Sequence, residues 1–185
     1  AHRAHRHLQA TDAAGHHESH RAHLRAGLGL AGFAEHGAGN HAAALQLEDE
    51  RIFSRTWQFA GHISQLPAPG TYLTANAGTQ PVLVVRDDEG ELRAYRNVCR
   101  HRGSRLLSGA GECKKAIRCR YHGWTYRMDG ELIGVPEGRQ IPGLDKSALG
   151  LFPARVEVLQ GLVFVNLDIH ATPLAEQVAG LPERL

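Results

Sequence analysis

Four side chains of metal-binding type lie in two short motifs near the middle of the chain. Cys99 and His101 form a Cys-x-His motif, Cys119 and His122 form a Cys-x-x-His motif, and 17 residues separate the two. Thiolate sulfur and imidazole nitrogen are common protein ligands of zinc and of iron centres. Because each pair spans three or four residues, each fits on one loop. The fold must therefore bring two loops together.

Two kinds of metal centre are compatible with this ligand set. Two Cys and two His can hold structural zinc in a tetrahedral site. In a Rieske [2Fe–2S] cluster, two Cys hold one iron and two His hold the other. Gly103 and Gly123 follow the His residues closely, and glycine allows both positive φ and a close approach of backbone to a ligand. This context favours the iron–sulfur cluster, with a structural zinc module as the alternative.

Together with their flanking residues, the motifs resemble the Rieske domain at the N-terminal end of the alpha subunit of Rieske non-haem iron oxygenases, the aromatic-ring-hydroxylating family. The resemblance runs from about residue 43 to the end of the chain. It includes residues 51–57, which lead into 61–64, and residues 161–168. It implies an all-β fold of antiparallel strands, as a sandwich or small barrels, with two cluster-binding loops and a short N-terminal helix.

The resemblance also implies a role for each ligand. Cys99 and Cys119 hold the buried iron, and His101 and His122 hold the outer iron. Tyr126 is interpreted as a core aromatic, with a hydrogen bond to the cluster, or shielding of it, as the alternative. Trp124 is interpreted as core and also as a shield of the cluster. The residues expected to surround the cluster are Arg102, Gly103, Tyr121, Gly123 and Trp124.

Electron transfer is the function that the resemblance implies. In that family the Rieske domain receives electrons from a ferredoxin or a flavin reductase. It passes them to a mononuclear Fe(II), held by two His and a carboxylate in a second domain of an O₂-dependent mono- or dioxygenase. The family's alpha subunits form trimers. We expect that iron site to lie outside this chain, because too few residues follow Asp168 to form it. We expect no catalytic residue within the chain. A stand-alone Rieske ferredoxin is the alternative.

Substrate class is not determined by the sequence. Residues 143–147 resemble both alpha subunits that act on aromatic acids and those that act on quaternary amines. The frequency of each activity in the family favours aromatic rings, which is an argument by association.

Composition limits the remaining function classes. The net charge of +2 argues against a nucleic acid or a membrane surface as partner. Besides Cys99 and Cys119, the chain has one further cysteine, Cys113. With two cysteines assigned as ligands, a disulfide framework is excluded and a cytoplasmic location is expected. No apolar run reaches the ~18 residues of a membrane-spanning helix.

Three regions are expected along the chain. Residues 1–41 hold nine of the 13 His residues together with many Ala and Gly. Such low-complexity sequence predicts a disordered tail, with a His-rich metal-binding segment as the alternative. Residues 42–170 are expected to form the Rieske domain, and residues 171–185 the start of a truncated catalytic domain.

The pattern of apolar residues predicts the secondary structure. Residues 43–53 predict a short amphipathic helix, and residues 174–185 the start of another helix broken at Pro182. Asp129-Gly130 and Gln160-Gly161 predict two-residue hairpin turns. Strands are predicted at 56–62, 71–76, 80–86, 92–97, 116–118, 124–128, 131–133, 155–159 and 162–167.

Overall fold

The computed structural model describes residues 38–113, 115–136, 138 and 142–180. Helix α1 is Ala38–Glu48 and continues into a π-helical turn, Asp49–Phe53, and helix α2 is Leu174–Gln177. Most of the predicted disordered tail, up to residue 37, lies outside the described residues. None of the helices in the described ranges is both long enough and apolar enough to cross a membrane.

Antiparallel strands dominate the described part of the chain, as predicted. A seven-stranded sheet has the order β1-β10-β9-β4-β3-β2-β5, and a three-stranded sheet has the order β6-β7-β8. The strands are β1 Gln58–His62, β2 Thr71–Ala77, β3 Gln80–Arg86, β4 Leu92–Arg96, β5 Ala110–Glu112, β6 Ile117–Arg118, β7 Thr125–Tyr126, β8 Leu132–Gly134, β9 Pro153–Leu159 and β10 Leu162–Asn166.

Two predicted helices need correction, and one strand was missed. The amphipathic helix forms, but its apolar residues Leu45 and Ile52 are 59% and 49% exposed, so burial does not drive it. The C-terminal helix covers only Leu174–Gln177. Gly180 then has a φ of 88°, a left-handed conformation that commonly ends helices. Strand β5 was not predicted, because its three exposed residues lack apolar alternation and depend on pairing with β2.

Strand β3 separates two apolar cores. Val82 and Val84 belong to one core, which includes residues of β2 and β10. Leu83 and Val85 belong to the other core, together with residues of the three-stranded sheet. Successive side chains of a strand point to opposite faces, so a strand buried on both faces is a continuous apolar run. The second core is the one that carries the two metal-binding motifs.

A buried carboxylate stabilises the turn between β3 and β4. Asp87 is 1% exposed and accepts hydrogen bonds from the backbone N–H groups of Glu89 and Glu91 and from Nε of Arg93. Burial by itself raises the pKa of Asp87. The hydrogen bonds from Arg93 and Glu91 outweigh that effect, so the pKa lies below its usual range. The ionised form is therefore the one that stabilises the fold.

We expect Asp87→Asn to lower the free energy of unfolding by about 2 kcal/mol at pH 7, because it removes a charged acceptor from buried donors. A lowered folded-state pKa means that this stability is present above the unfolded value of about 3.9 and is lost as pH falls through the folded pKa. Urea denaturation should show the two proteins converging below about pH 3.9. Asp88→Asn, at an exposed position, is the matched control. A pH-independent difference would contradict the assignment.

Candidate metal centre

The first motif lies on a loop closed by two backbone hydrogen bonds. The N–H of Cys99 donates to the carbonyl of Ser104 at 2.8 Å, and the N–H of Gly103 donates to the carbonyl of Cys99 at 2.9 Å. Gly103 has a φ of 67°, a conformation that favours glycine. We call residues 99–104 the first loop.

The second motif repeats this geometry. The N–H of Cys119 donates to the carbonyl of Trp124 at 2.7 Å, and the N–H of Gly123 donates to the carbonyl of Cys119 at 3.0 Å. The φ of Gly123 is 71°. We call residues 119–124 the second loop. Cysteine and glycine therefore occupy equivalent positions in the two loops, which explains why the two motifs look alike in the sequence.

The two loops meet at the edge of the second core. Cys99 and Cys119 are 3% and 2% exposed and belong to the same apolar cluster. His101 is exposed and His122 half-buried, and their ring centroids lie 4.6 Å apart with an interplanar angle of 70°. The four predicted ligands therefore come together as a buried sulfur pair and an outward imidazole pair.

The candidate donors fall into two pairs by element and by exposure, with sulfur buried and nitrogen nearer to solvent. Tetrahedral zinc would draw four donors around one centre. A Rieske cluster takes two protein ligands at each iron, sulfur at one and nitrogen at the other. The donor set and its division into pairs fit that cluster.

Backbone donors surround the sulfur of Cys119. Burial raises the pKa of this thiol, but backbone N–H groups of Tyr121 and His122, with side-chain contacts from Cys99 and Ser104, outweigh burial and lower the pKa. The thiolate is the form that binds metal. The second loop therefore favours the charge state that a metal ligand needs.

The hydroxyl group of Tyr126 orients the other cysteine. It lies 3.3 Å from Sγ of Cys99 and accepts the backbone N–H of Arg100 at 3.0 Å. A thiolate has no proton, so when Cys99 is in the metal-binding form the phenol O–H is the donor of this contact. Burial raises the pKa of Cys99, and this hydrogen bond opposes the effect.

Sequence interpretation favoured the core for Tyr126, with a hydrogen bond at the cluster as the alternative. The residue is fully buried and also contacts Cys99. A buried tyrosine usually needs a hydrogen-bond partner for its hydroxyl group. That rule, together with its place four residues after His122, was the available signal.

Aromatic rings flank both imidazoles. Trp124, 8% exposed, reaches across from the second loop and stacks on His101, with centroids 5.0 Å apart and planes within 7°. It is therefore a buried residue that also contacts His101, a candidate ligand. The ring centroid of Tyr121 lies 3.9 Å from that of His122. Tyr121 is nevertheless 64% exposed, so it covers little of the site. Desolvation, followed by the charges of His122 and Arg102, lowers the pKa of His101.

Arg100 attaches the first loop to the segment just before strand β9. Its guanidinium lies 3.8 Å from the centroid of the Phe152 ring, and its Nη1 donates to the carbonyl of Gly150 at 2.7 Å. Sequence interpretation did not predict this contact, because 50 residues separate the partners and no local pattern connects them.

Comparison with known proteins identifies the family to which this domain is related. A model of the Rieske [2Fe–2S] domain matches residues 56–146. Biphenyl 2,3-dioxygenase subunit alpha of Rhodococcus jostii strain RHA1 is 44% identical over 133 residues, which cover 71% of this chain and 29% of that protein. The carnitine monooxygenase oxygenase subunit of Acinetobacter baumannii is 38% identical over 138 residues, covering 75% and 37%.

A solved structure shares the fold as well. The apo form of a quaternary ammonium Rieske monooxygenase superposes with a TM-score of 0.70 at 38% identity, over 75% of this chain and 40% of that one. The chain thus spans well under half the length of these relatives. Both the predicted family and the predicted Rieske-type fold are confirmed. Residues 56–146 are a Rieske [2Fe–2S] domain, and through it the chain belongs with the alpha subunits of Rieske oxygenases.

Proposed function

We propose that this chain is the electron-transfer part of a Rieske oxygenase alpha subunit, with Cys99, Cys119, His101 and His122 as the ligands of its [2Fe–2S] cluster. The observation that supports this most strongly is the pairing of donors, with two cysteines at most 3% exposed beneath two imidazoles 4.6 Å apart. When bound, the cluster accepts and releases one electron at a time.

The protein's part is to hold the ligands and exclude water. The apolar cluster around the cysteines, which includes Ile117 and Leu106, keeps solvent from the sulfur side. The Tyr126 hydroxyl group and the N–H groups of the second loop donate hydrogen bonds to the sulfurs. Donors of this kind stabilise added negative charge and so raise a reduction potential. The imidazoles form the outward face, where electrons enter or leave.

The five residues expected around the cluster have separable roles in this proposal. Gly103 and Gly123 allow the tight loop conformation. Trp124 fixes the plane of the His101 ring by stacking. Arg102 and Tyr121 are exposed and belong to the outward surface.

We infer the wider assembly from the family that the sequence resembles. A ferredoxin or a flavin reductase supplies electrons, and a mononuclear Fe(II) in a further domain receives them. Alpha subunits associate, as trimers in the family that the sequence resembles. Residues 42–170 then form the Rieske domain, and residues 171–185 lead into the catalytic domain. Biphenyl and carnitine, in the names of the two relatives, differ in chemistry, so aromatic compounds and quaternary amines both remain substrate classes for this proposal. The free cysteines suit a reducing compartment such as the cytoplasm.

Anaerobic purification tests the proposal directly. We expect red-brown protein with about two iron and two acid-labile sulfide per chain, and a reduction potential of roughly −150 to +300 mV, far above that of an all-Cys plant-type cluster. Metal analysis, visible absorption and a redox titration give these values. Stoichiometric zinc without sulfide would refute the proposal and return the site to the structural zinc alternative.

A further inference from the structure

The two loops of the site are held at their bases in different ways. Strands β6 and β7 flank the second loop and pair there as a regular antiparallel ladder. At the base of the first loop, the pairing is an isolated bridge between Val98 and Arg105. We call residues 97–98 and 105–107 the stem of the first loop. Contacts other than a strand ladder must therefore hold this stem together.

The side chain of Asn97 supplies those contacts. Its Oδ1 accepts the backbone N–H groups of Leu106 at 3.2 Å and of Leu107 at 3.1 Å. Its Nδ2 donates to the carbonyl of Leu107 at 2.8 Å. These three bonds join the two arms of the stem next to the isolated bridge. One side chain thus takes the place of further ladder bonds.

Asn97 also connects the stem to the large sheet. Its backbone N–H donates to the carbonyl of Pro81 in strand β3 at 2.8 Å. Asn97 is 1% exposed, and burial of a polar side chain is costly unless its hydrogen bonds are made. Its partners are backbone groups, which need hydrogen bonds as well when they are buried. Other positions of the stem would leave several of these groups unpaired.

The stem carries half of the candidate ligands. Cys99 and His101 lie in the loop that it closes. The ring of His101 stacks on Trp124 of the second loop, and its centroid lies 4.6 Å from that of His122. Leu106, within the stem, belongs to the same apolar cluster as both cysteines. A shift of the stem would therefore move one sulfur and one imidazole relative to the other pair.

We propose that Asn97 is a positioning residue, which sets the first loop so that Cys99 and His101 face the second loop before the cluster binds. This inference rests on the proposed function. Ligands that are already ordered lose less conformational entropy on binding, so the site binds more tightly. Asn97 acts through the backbone of Leu106 and Leu107 and is not itself a ligand.

Asn166 provides a matched control. It is fully buried, like Asn97, and lies on strand β10, outside both loops. Its Nδ2 donates to the carbonyl of Arg55 at 3.2 Å, and its Oδ1 accepts the N–H of Asp168 at 2.9 Å. If Asn97 served only the stability of the fold, alanine at the two positions should have similar effects.

Hydrogen exchange measured by mass spectrometry tests the position of the loop without requiring a cluster. Asn97→Ala should raise the exchange rate of residues 99–107 by about tenfold, because its loss leaves the stem open more often. Residues 119–128, which include the second loop, should stay within about twofold of wild type. Asn166→Ala should leave both segments within about twofold.

Cluster-loaded protein provides readouts that a purely structural asparagine would not change. Iron loss to the chelator bathophenanthroline should be about tenfold faster in Asn97→Ala than in wild type, and within about twofold in Asn166→Ala. The g values of the dithionite-reduced cluster, measured by electron paramagnetic resonance, should shift in Asn97→Ala alone, because the loosened loop carries His101. Asn97→Asp keeps the acceptor oxygen and gives up only the donation from Nδ2. It should therefore lie between wild type and Asn97→Ala in both rates.

The outcomes separate this inference from the proposed function. Equal exchange and equal iron loss in Asn97→Ala and Asn166→Ala would overturn the positioning role alone, as would exchange raised equally in both loops. Should Asn97→Ala fail to fold, wild-type exchange and wild-type iron loss in Asn97→Asp would overturn it. Wild-type protein that holds neither iron nor sulfide would overturn the electron-transfer function, while the exchange comparison still decides the role of Asn97 in the loop.

Discussion

Cys119→Ser should yield colourless protein, with iron and acid-labile sulfide each reduced by about tenfold or more relative to wild type. Cys119 is 2% exposed, and its sulfur has hydrogen-bond donors around it that favour a thiolate. A serine hydroxyl is a poor thiolate substitute, because it stays protonated and is a harder ligand. Visible absorption and metal analysis of protein purified without oxygen provide the measurement.

Cys113→Ser is the matched control. Cys113 is half-buried and free, and it lies outside both loops. Its backbone N–H donates to the carbonyl of Gly70, a bond that serine retains. This variant should keep full iron and sulfide content. Equal losses in the two variants would mean that loss of thiol in general, and not loss of a ligand, lowers the iron content.

Gly130→Ala should lower the free energy of unfolding by about 3 kcal/mol, as the sum of backbone strain and overpacking. Gly130 has a φ of 89°, and an added Cβ would lie 2.6 Å from Cε1 of the Tyr95 ring. Tyr95 cannot easily move away, because it is 4% exposed and its hydroxyl group donates to the carbonyl of Met128. Urea denaturation followed by tryptophan fluorescence measures the loss.

Gly90→Ala separates the two causes. The φ of Gly90 is 86°, almost the same, but an added Cβ there would meet nothing within 4 Å. It should cost only about 1 kcal/mol, the backbone part. The contact between Gly130 and Tyr95 joins the turn after β7 to strand β4. We therefore expect Gly130→Ala, but not Gly90→Ala, to reduce iron content as well. Equal effects of the two variants would rule out the steric explanation.

Much of the sheet could be predicted because its information is local. The run from Val82 to Val85 indicated a buried strand from apolar residues alone, and its bounds were predicted without error as Gln80–Arg86. Gln160-Gly161 indicated a hairpin turn, and both residues have positive φ, 51° and 80°. Patterns of this kind depend only on neighbouring residues in the chain, so they can be recognised without knowledge of the fold.

Other features depended on partners distant in sequence. Strand β5 forms because Ala110–Glu112 pairs with one edge of β2. Its own residues are exposed and show no alternation of apolar and polar side chains. Residues 43–53 show the opposite error. Their apolar pattern predicted an amphipathic helix with a buried face, but Leu45 and Ile52 are exposed. There a helical apolar pattern exists without burial among the described residues.

The sequence alone determined the chemistry of the centre, because donor type and loop spacing are written in the order of residues. Two cysteines, two histidines and the glycines after them specify which atoms could bind metal and which loops could carry them. Only the tertiary structure decided the arrangement of these atoms. The core buries both cysteines and leaves both imidazoles nearer to solvent. Tyr126, on strand β7, contacts Cys99 in the first loop, and Trp124 of the second loop stacks on His101 of the first. These contacts join residues up to 27 positions apart, and packing between sheets, which no local pattern encodes, brings them together.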